Sequence, residues 1–313
     1  MTPASVPLTW STALTSWRWD TGAALLIVVL GVGYAWAYRR GDAVTAKSAS
    51  SFAIGLFVVL MATMSVPGVY GGVLFWARAL QVLLLLLVAP FFLAMGRPVS
   101  VIAGAAGPRG RDRLERVLAT PAARYLAHPA TTSLAMLATP WLLYLTPWYV
   151  ATLQRPAVMT ATRAVLLIVG FCYFYARLQT DPVPRRYSQM LSLVISIVES
   201  IGDGLLGIVL WLGPLVAVDY YTRLGRQWGP SMRVDQSIGA GVLWLVGDVL
   251  GVPFIIVLMR LFSADEKAHA QAIDAALDRA ETDGAAQESP DCPGASGLWW
   301  ENDPQLRDRM GRA

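Results

Sequence analysis

A chain of 313 residues that is 55% hydrophobic and only 15% charged, with a mean hydropathy of +0.49, is too apolar for an ordinary water-soluble domain, in which about 25% of residues are charged. The formal net charge of +4 comes mostly from arginines gathered in alternate gaps between apolar runs, which speaks for membrane topology and anionic-lipid contact and against nucleic-acid binding. The two cysteines, Cys172 and Cys292, lie far apart, which excludes a disulfide framework or a cysteine-pair metal site.

Residues 1–20 form an expected extracytoplasmic leader. No Lys or Arg precedes Arg18, so the leader lacks the basic start of a cleaved signal and the first apolar run is expected to stay in place. A bilayer core takes about 20 apolar residues per helix. On that measure the runs Thr21 to Tyr38, Ala49 to Val66, Val73 to Leu93, Ala130 to Thr146, Met159 to Leu178, Met190 to Leu215 and Ile238 to Phe262 predict an all-α, polytopic bundle of seven transmembrane helices over 21–262. The second run is short and the fourth carries hydroxyls and Pro140, so both are expected to tilt or to be buried against neighbours.

Between these runs, one set of gaps holds Arg39, Arg40, Lys47, Arg97, Arg109, Arg111, Arg113, Arg116, Arg124, Arg177, Arg185 and Arg186, against Arg155, Arg223, Arg226 and Arg233 in the opposite set. The positive-inside rule then places the amino terminus outside and the carboxyl terminus in the cytoplasm of a bacterial plasma membrane. The basic stretch Gly107 to Arg111 reads as a solvated cytoplasmic loop. In the tail, 263–313, a short helix over Ala264 to Glu281 gives way to a Pro/Gly/Ser linker and then to Trp299 and Trp300. Paired tryptophans on such a tail are expected to dock on the membrane interface or on a partner.

An ionisable group at bilayer depth costs about 2.5–3.5 kcal/mol on insertion scales. Arg78, Arg163, Glu199, Asp203 and Asp248 fall inside the runs. Glu199 and Asp203 share a helix face with Ser192 and Ser196. Two carboxylates so spaced repel and call for a cation or a shared proton. Arg78, on the third run, is the expected partner of Asp203, and Arg163 is free to snorkel outward. Glycines 202, 204, 207, 247 and 251 around Asp203 and Asp248 suit close packing of the sixth and seventh runs. Met61 and Met64 stand one turn apart; thioethers suit Cu(I), although methionine is equally a packing residue.

The third run and its neighbours read FWARALQVLLLLLVAPFFLAMGRP over 75–98, followed by QTDPVPRR with Asp181 and Pro182, DGLLG with Gly207, and DQSIGAGVLWLVGD from Asp235 to Asp248. In that order the pieces resemble the multi-span CtaG family of bacterial cytochrome c oxidase assembly factors. The resemblance implies a membrane factor that contacts an oxidase subunit and handles copper for it. It also marks departures. Arg78 and Val82 stand where the family's HMxQH element has histidines, with Gln81 kept; Asp203 and Tyr144 occupy two further histidine positions. The candidate polar cluster is therefore Arg78, Gln81, Tyr144, Glu199, Asp203, Asp235, Gln236 and Asp248, with an Arg78 to Asp203 ion pair in place of a metal site. A proton or small-solute transporter using the intramembrane carboxylates, and a purely structural membrane subunit, stand as alternatives. No Ser-His, HExxH or GxSxG arrangement points to an enzyme.

Overall fold

The structure, a computed structural model, describes residues 6–41, 45–184 and 189–246, with scattered positions up to 279; for 189–194, 196, 197 and 246 it describes the backbone alone. The chain divides into two compact units, Met1–Leu261 and Phe262–Ala313. Every described element is helical. In the second unit the run 273–279 is helical, with Ile273 and Leu277 exposed. Trp299, Trp300 and Asp248 lie outside the described residues.

The first unit opens with α1 (Trp10–Thr15), closed by a Thr9 and Thr12 capping box. Asp20 then caps α2 (Thr21–Arg40) by accepting from the Ala23 N–H, and Arg39 and Arg40 complement the dipole of its last turn. Next come α3 (Ala46–Met64) and α4 (Val66–Tyr70). Together these make an apolar segment of 25 residues, longer than the short second span expected. Its polar first turn folds as helix because Ser50 and Ser51 return their hydroxyls to the Ala46 and Lys47 carbonyls, so serines there do not end the helix.

The third run forms one rod from α5 (Phe75–Leu83), a π-helical turn (Leu84–Val88) and α6 (Ala89–Met95). Pro90 explains the π turn. A proline has no N–H for the carbonyl four residues back and its ring crowds that carbonyl; the chain inserts a wider turn in which Ala89 N–H reaches Leu84 O. The rod is the hub of the bundle, packed by α3, α12 and α15. Gly170 of α12 permits the closest approach, since a Cβ there would sit 2.1 Å from Leu86 O and 2.6 Å from a Pro90 ring carbon.

The basic stretch expected as a solvated loop is helical instead. It opens α8 (Gly107–Leu118), which lies between α7 (Pro98–Ala105) and α9 (Pro121–Leu126), each opened by a proline in its first turn, where that residue is pre-set for a helix. Then follow α10 (Pro129–Leu145), α11 (Trp148–Gln154), α12 (Pro156–Leu178), α13 (Gln189–Leu212), α14 (Val218–Leu224) and α15 (Met232–Gly241), the last running into a π turn (Val242–Val246). Among the described residues, Thr21–Arg40, Ala46–Tyr70, Phe75–Met95 and Pro156–Leu178 are long and apolar enough to cross a membrane. They coincide with the first, second, third and fifth expected spans.

Two ends of the bundle are distinguished by tertiary bonds. At the Thr21 end, Arg18 N–H reaches Met64 O at 2.9 Å and Arg163 bonds Asp20 at 2.5 Å. Arg163, expected to snorkel, is thus buried and paired. At the Arg40 end, Tyr34 stacks on Phe52 with ring centroids 4.0 Å apart and donates to Gly96 O at 2.8 Å.

Gly170→Ala is expected to cost about 1–3 kcal/mol, the range for overpacking a closed contact, because the obstructing atom is backbone; thermal unfolding in detergent measures it. A second expectation concerns acid. Burial raises the Asp20 carboxyl, but the Ala23 N–H, the Arg163 hydrogen bond and the charges of Arg163 and Arg18 outweigh it, leaving the group below its ordinary 3.8. A carboxyl lowered on folding stabilises fully above the unfolded value and loses that contribution as pH falls through the folded one. The stability gap between the native chain and Asp20→Asn should therefore be present at neutral pH and close below about pH 4, in thermal melts run across pH.

Candidate functional site

At the Thr21 end, α5 carries Arg78 into the core at 3% exposure. Its Nη1 donates to Gln81 Oε1 at 2.7 Å and to Met159 Sδ at 2.8 Å, and its Nη2 to Thr152 Oγ1 at 2.8 Å. Gln81 in turn donates to Ala62 O of α3 at 2.7 Å. Tyr144 and Tyr149 pack with Phe75 beside this cradle, and the Tyr149 and Tyr221 hydroxyls share a 2.8 Å hydrogen bond. The Tyr144 hydroxyl is buried without a partner among the described residues. Six elements, α3, α5, α10, α11, α12 and α14, thus meet around one guanidinium.

The groups bonded to Arg78 are an amide, a hydroxyl and a thioether, and Asp203 is not among them. The expected ion pair gives way to neutral acceptors because the guanidinium extends toward α11 and α12. Asp203 lies on α13 one turn before Leu206, which joins the core cluster holding Val82 and Tyr144. Three of the positions singled out for missing histidines, 78, 82 and 144, therefore do converge.

Toward the Arg40 end a second polar cluster forms. Arg177, fully buried, bonds Glu199 at 2.9 Å. Tyr173 donates to the other Glu199 oxygen at 2.6 Å, Ser133 accepts from Arg177 Nη2 at 2.5 Å, and the guanidinium lies 4.5 Å from the Tyr173 ring centre. The cation that Glu199 requires is therefore Arg177, which the charge pattern had counted with a cytoplasmic gap. Its signal was the Tyr173 and Arg177 pair one turn apart on α12, next to the glycine contact. The Ser192 and Ser196 side chains lie outside the described residues.

Asp235 and Gln236 act on backbone. The Asp235 carboxylate accepts the N–H groups of Phe75 and Trp76, both at 3.1 Å, and faces Arg226 at 3.4 Å. It thereby caps α5, whose own N-cap residue, Leu74, has no polar side chain. Gln236 accepts from Val216 N–H at 2.8 Å and donates to Leu210 O and Pro214 O, closing the end of α13. Asp181 does for α7 what Asp235 does for α5, accepting from Val99 N–H and from the N–H and hydroxyl of Ser100.

Met61 and Met64 sit in the last turns of α3, with Met64 buried and its carbonyl taken by Arg18. No group of three or more His, Cys, Asp or Glu that could hold a metal ion occurs among the described residues. Where imidazoles would gather, the chain has a fixed positive charge and phenol groups. Neither is a soft neutral donor, and the thioether beside them, Met159, is engaged by the Arg78 guanidinium, an arrangement that does not fit Cu(I).

Residues 10–264 match the family described as Cytochrome c oxidase caa3 assembly factor (Caa3_CtaG), and the chain belongs to that family. It is 24% identical over 275 residues to uncharacterized proteins of Mycobacterium bovis and Mycobacterium tuberculosis, a stretch that is 83% of this chain and 41% of theirs. It is 25% identical over 264 residues, 80% of this chain and 39% of the relative, to one from Mycobacterium leprae. The chain thus spans about two fifths of the length of these relatives. No solved structure matches it.

Removing one partner of the buried pair, as in Arg177→Leu or Glu199→Leu, should cost about 3–5 kcal/mol by stranding a charge, while the double substitution should recover much of that loss. A double-mutant cycle on thermal unfolding in detergent measures the coupling; additive losses would show that the pair carries no energy.

Proposed function

We propose that this protein is a membrane-embedded assembly factor for a copper-containing, caa3-type cytochrome c oxidase, and that it works by contact with an oxidase subunit without binding copper at its central site. Membership of the family supports the first part. The second rests on Arg78, a buried cation held by Gln81, Thr152 and Met159, which sets a positive charge against the Met159 thioether. At 4 Å and an effective dielectric near 20, a second unit positive charge would be repelled by on the order of 4 kcal/mol.

The proposed setting is a seven-span bundle in the bacterial plasma membrane, its amino terminus extracytoplasmic and its tail cytoplasmic. In it α10 and α13 and the segment after α15 complete the four long apolar helices. Trp299 and Trp300 would dock on the inner interface or on the partner. The capture of Glu199 by Arg177 and Tyr173 weighs against a transporter that loads protons or solute at that carboxylate.

Deletion of the gene should lower assembled oxidase, read as loss of the haem absorbance of membranes, and the native chain should restore it. Purified protein titrated with Cu(I) against a chromophoric chelator should leave the chelator loaded. Unchanged oxidase content after deletion would remove the assembly role; tight copper binding abolished by Met61→Leu and Met64→Leu would return copper handling to those thioethers.

A further inference from the structure

α2 joins the bundle at its ends and stands off between them. Near its start it is held by the Asp20 to Arg163 bond and by Arg18 on Met64 O; near its end, by Tyr34 on Phe52 and Gly96. Only Ala23, Tyr34 and Ala37 of its residues are buried. The space beside it is a groove of about 590 Å³ between α2, α3, α6, α7 and α12, walled by Leu30, Leu56, Leu93, Ile102 and Phe171 among other apolar side chains. Gly33 keeps it open, since a Cβ at that position would meet nothing within 4 Å.

Charge is distributed unequally along this groove. At one end Asp20 and Arg163 neutralise each other. At the other, the Arg40 guanidinium lies 4.2 Å over the ring of Trp36, a wall residue. Arg97 immediately precedes Pro98, also a wall residue, and is held in a left-handed conformation with φ 53°. Its Nε is buried with no hydrogen-bond partner among the described residues. Asp181 feels the charge of Arg97, and its oxygens accept the N–H groups of Val99 and Ser100.

We propose that this groove binds one anionic glycerophospholipid, its acyl chains along α2 and its phosphate between Arg40 and Arg97. Length supports this occupant. The wall residues of α2 run from Leu26 to Ala37, about 16 Å of helix at 1.5 Å per residue, a stretch of apolar wall along which an acyl chain entering from the Arg40 end can lie. The cationic mouth selects for the anionic headgroup over a zwitterionic one. The inference rests on the helices lying in a membrane and is independent of any role in oxidase assembly.

The test uses full-length protein purified in mild detergent from nanodiscs of equal phosphatidylglycerol and phosphatidylcholine, with bound lipid counted by native mass spectrometry. The native chain should retain one phosphatidylglycerol per protein, at least tenfold over phosphatidylcholine. Gly33→Leu fills open space and replaces glycine by a better helix former; it should lose the bound lipid of both kinds while melting at or above the temperature of delipidated native protein. Arg40→Gln with Arg97→Gln should keep a lipid but lose the preference, and Arg40→Gln alone should weaken it if the double variant fails to fold. Equal retention of the two lipids by the native chain, or phosphatidylglycerol still bound to Gly33→Leu, would overturn the proposal. A deletion strain with normal oxidase would leave these outcomes unaffected.

Discussion

A helix that starts in an apolar surrounding exposes N–H groups that water cannot reach, and this structure depends on two remote aspartates that satisfy them. The central rod begins at Phe75 and the chain resumes as α7 at Pro98. At neither start does the local N-cap residue cap with its side chain. Asp235 supplies one cap and Asp181 the other, each to two successive N–H groups. Each carboxylate comes from a segment more than 80 residues further along the chain, so one local requirement is met by tertiary folding. The bonds fix α15 against α5 and the segment after α12 against α7, and with them the order of packing around the rod.

Pro90 also sets the register of the rod. Its π turn inserts an extra residue between the Arg78 face and the Leu93 face, so the two halves of the rod are rotated independently. The half toward Thr21 presents Arg78 and Gln81 to α11, α12 and α3; the half toward Arg40 presents Leu93 to Gly55 of α3, where a Cβ would come within 2.8 Å. Between them the Leu86 carbonyl meets Gly170. Small residues at these two crossings let α3 and α12 close on the rod, as close backbone packing in membranes requires.

Much of this was legible in the sequence, and the limits have a physical cause. Length and hydropathy located α2, α3, the rod and α12, since an apolar run of this length has few other uses. The burial of Arg78, Glu199 and Gln81 was also legible, because each sits inside such a run. Their partners were not. Periodicity gives the residues that share a face of one helix but not the rotation of that helix against the next, so Arg78 was matched to Asp203 while the fold gives it Thr152 and Met159. Arg177, at the last turn of α12, has the sequence signature of an interfacial flank, and only the packing of α10 and α13 around it leaves it fully buried. Asp181 and Asp235 were visible through the family resemblance, but their task, capping helices that start elsewhere, appears only when the breaks in the rod are seen.

Two of the buried arginines, Arg177 and Arg78, show how one fold uses the same charge in different ways. Arg177 bonds a carboxylate and a hydroxyl and lies over the Tyr173 ring, so its positive charge is cancelled and the cluster serves as a cross-link between α12 and α13. Arg78 meets only neutral acceptors among its bonded groups, so positive charge remains in the core at the Thr21 end. Retaining it costs desolvation energy that the amide, hydroxyl and thioether only partly offset. A site that carries this charge favours an anionic or electron-rich occupant over a metal cation, and the ring of tyrosines around it is electron-rich in that sense. Arg78, Val82 and Tyr144 thus work as a set. Together they give the Thr21 end a positively charged, aromatic-lined core, positioned by the capped rod.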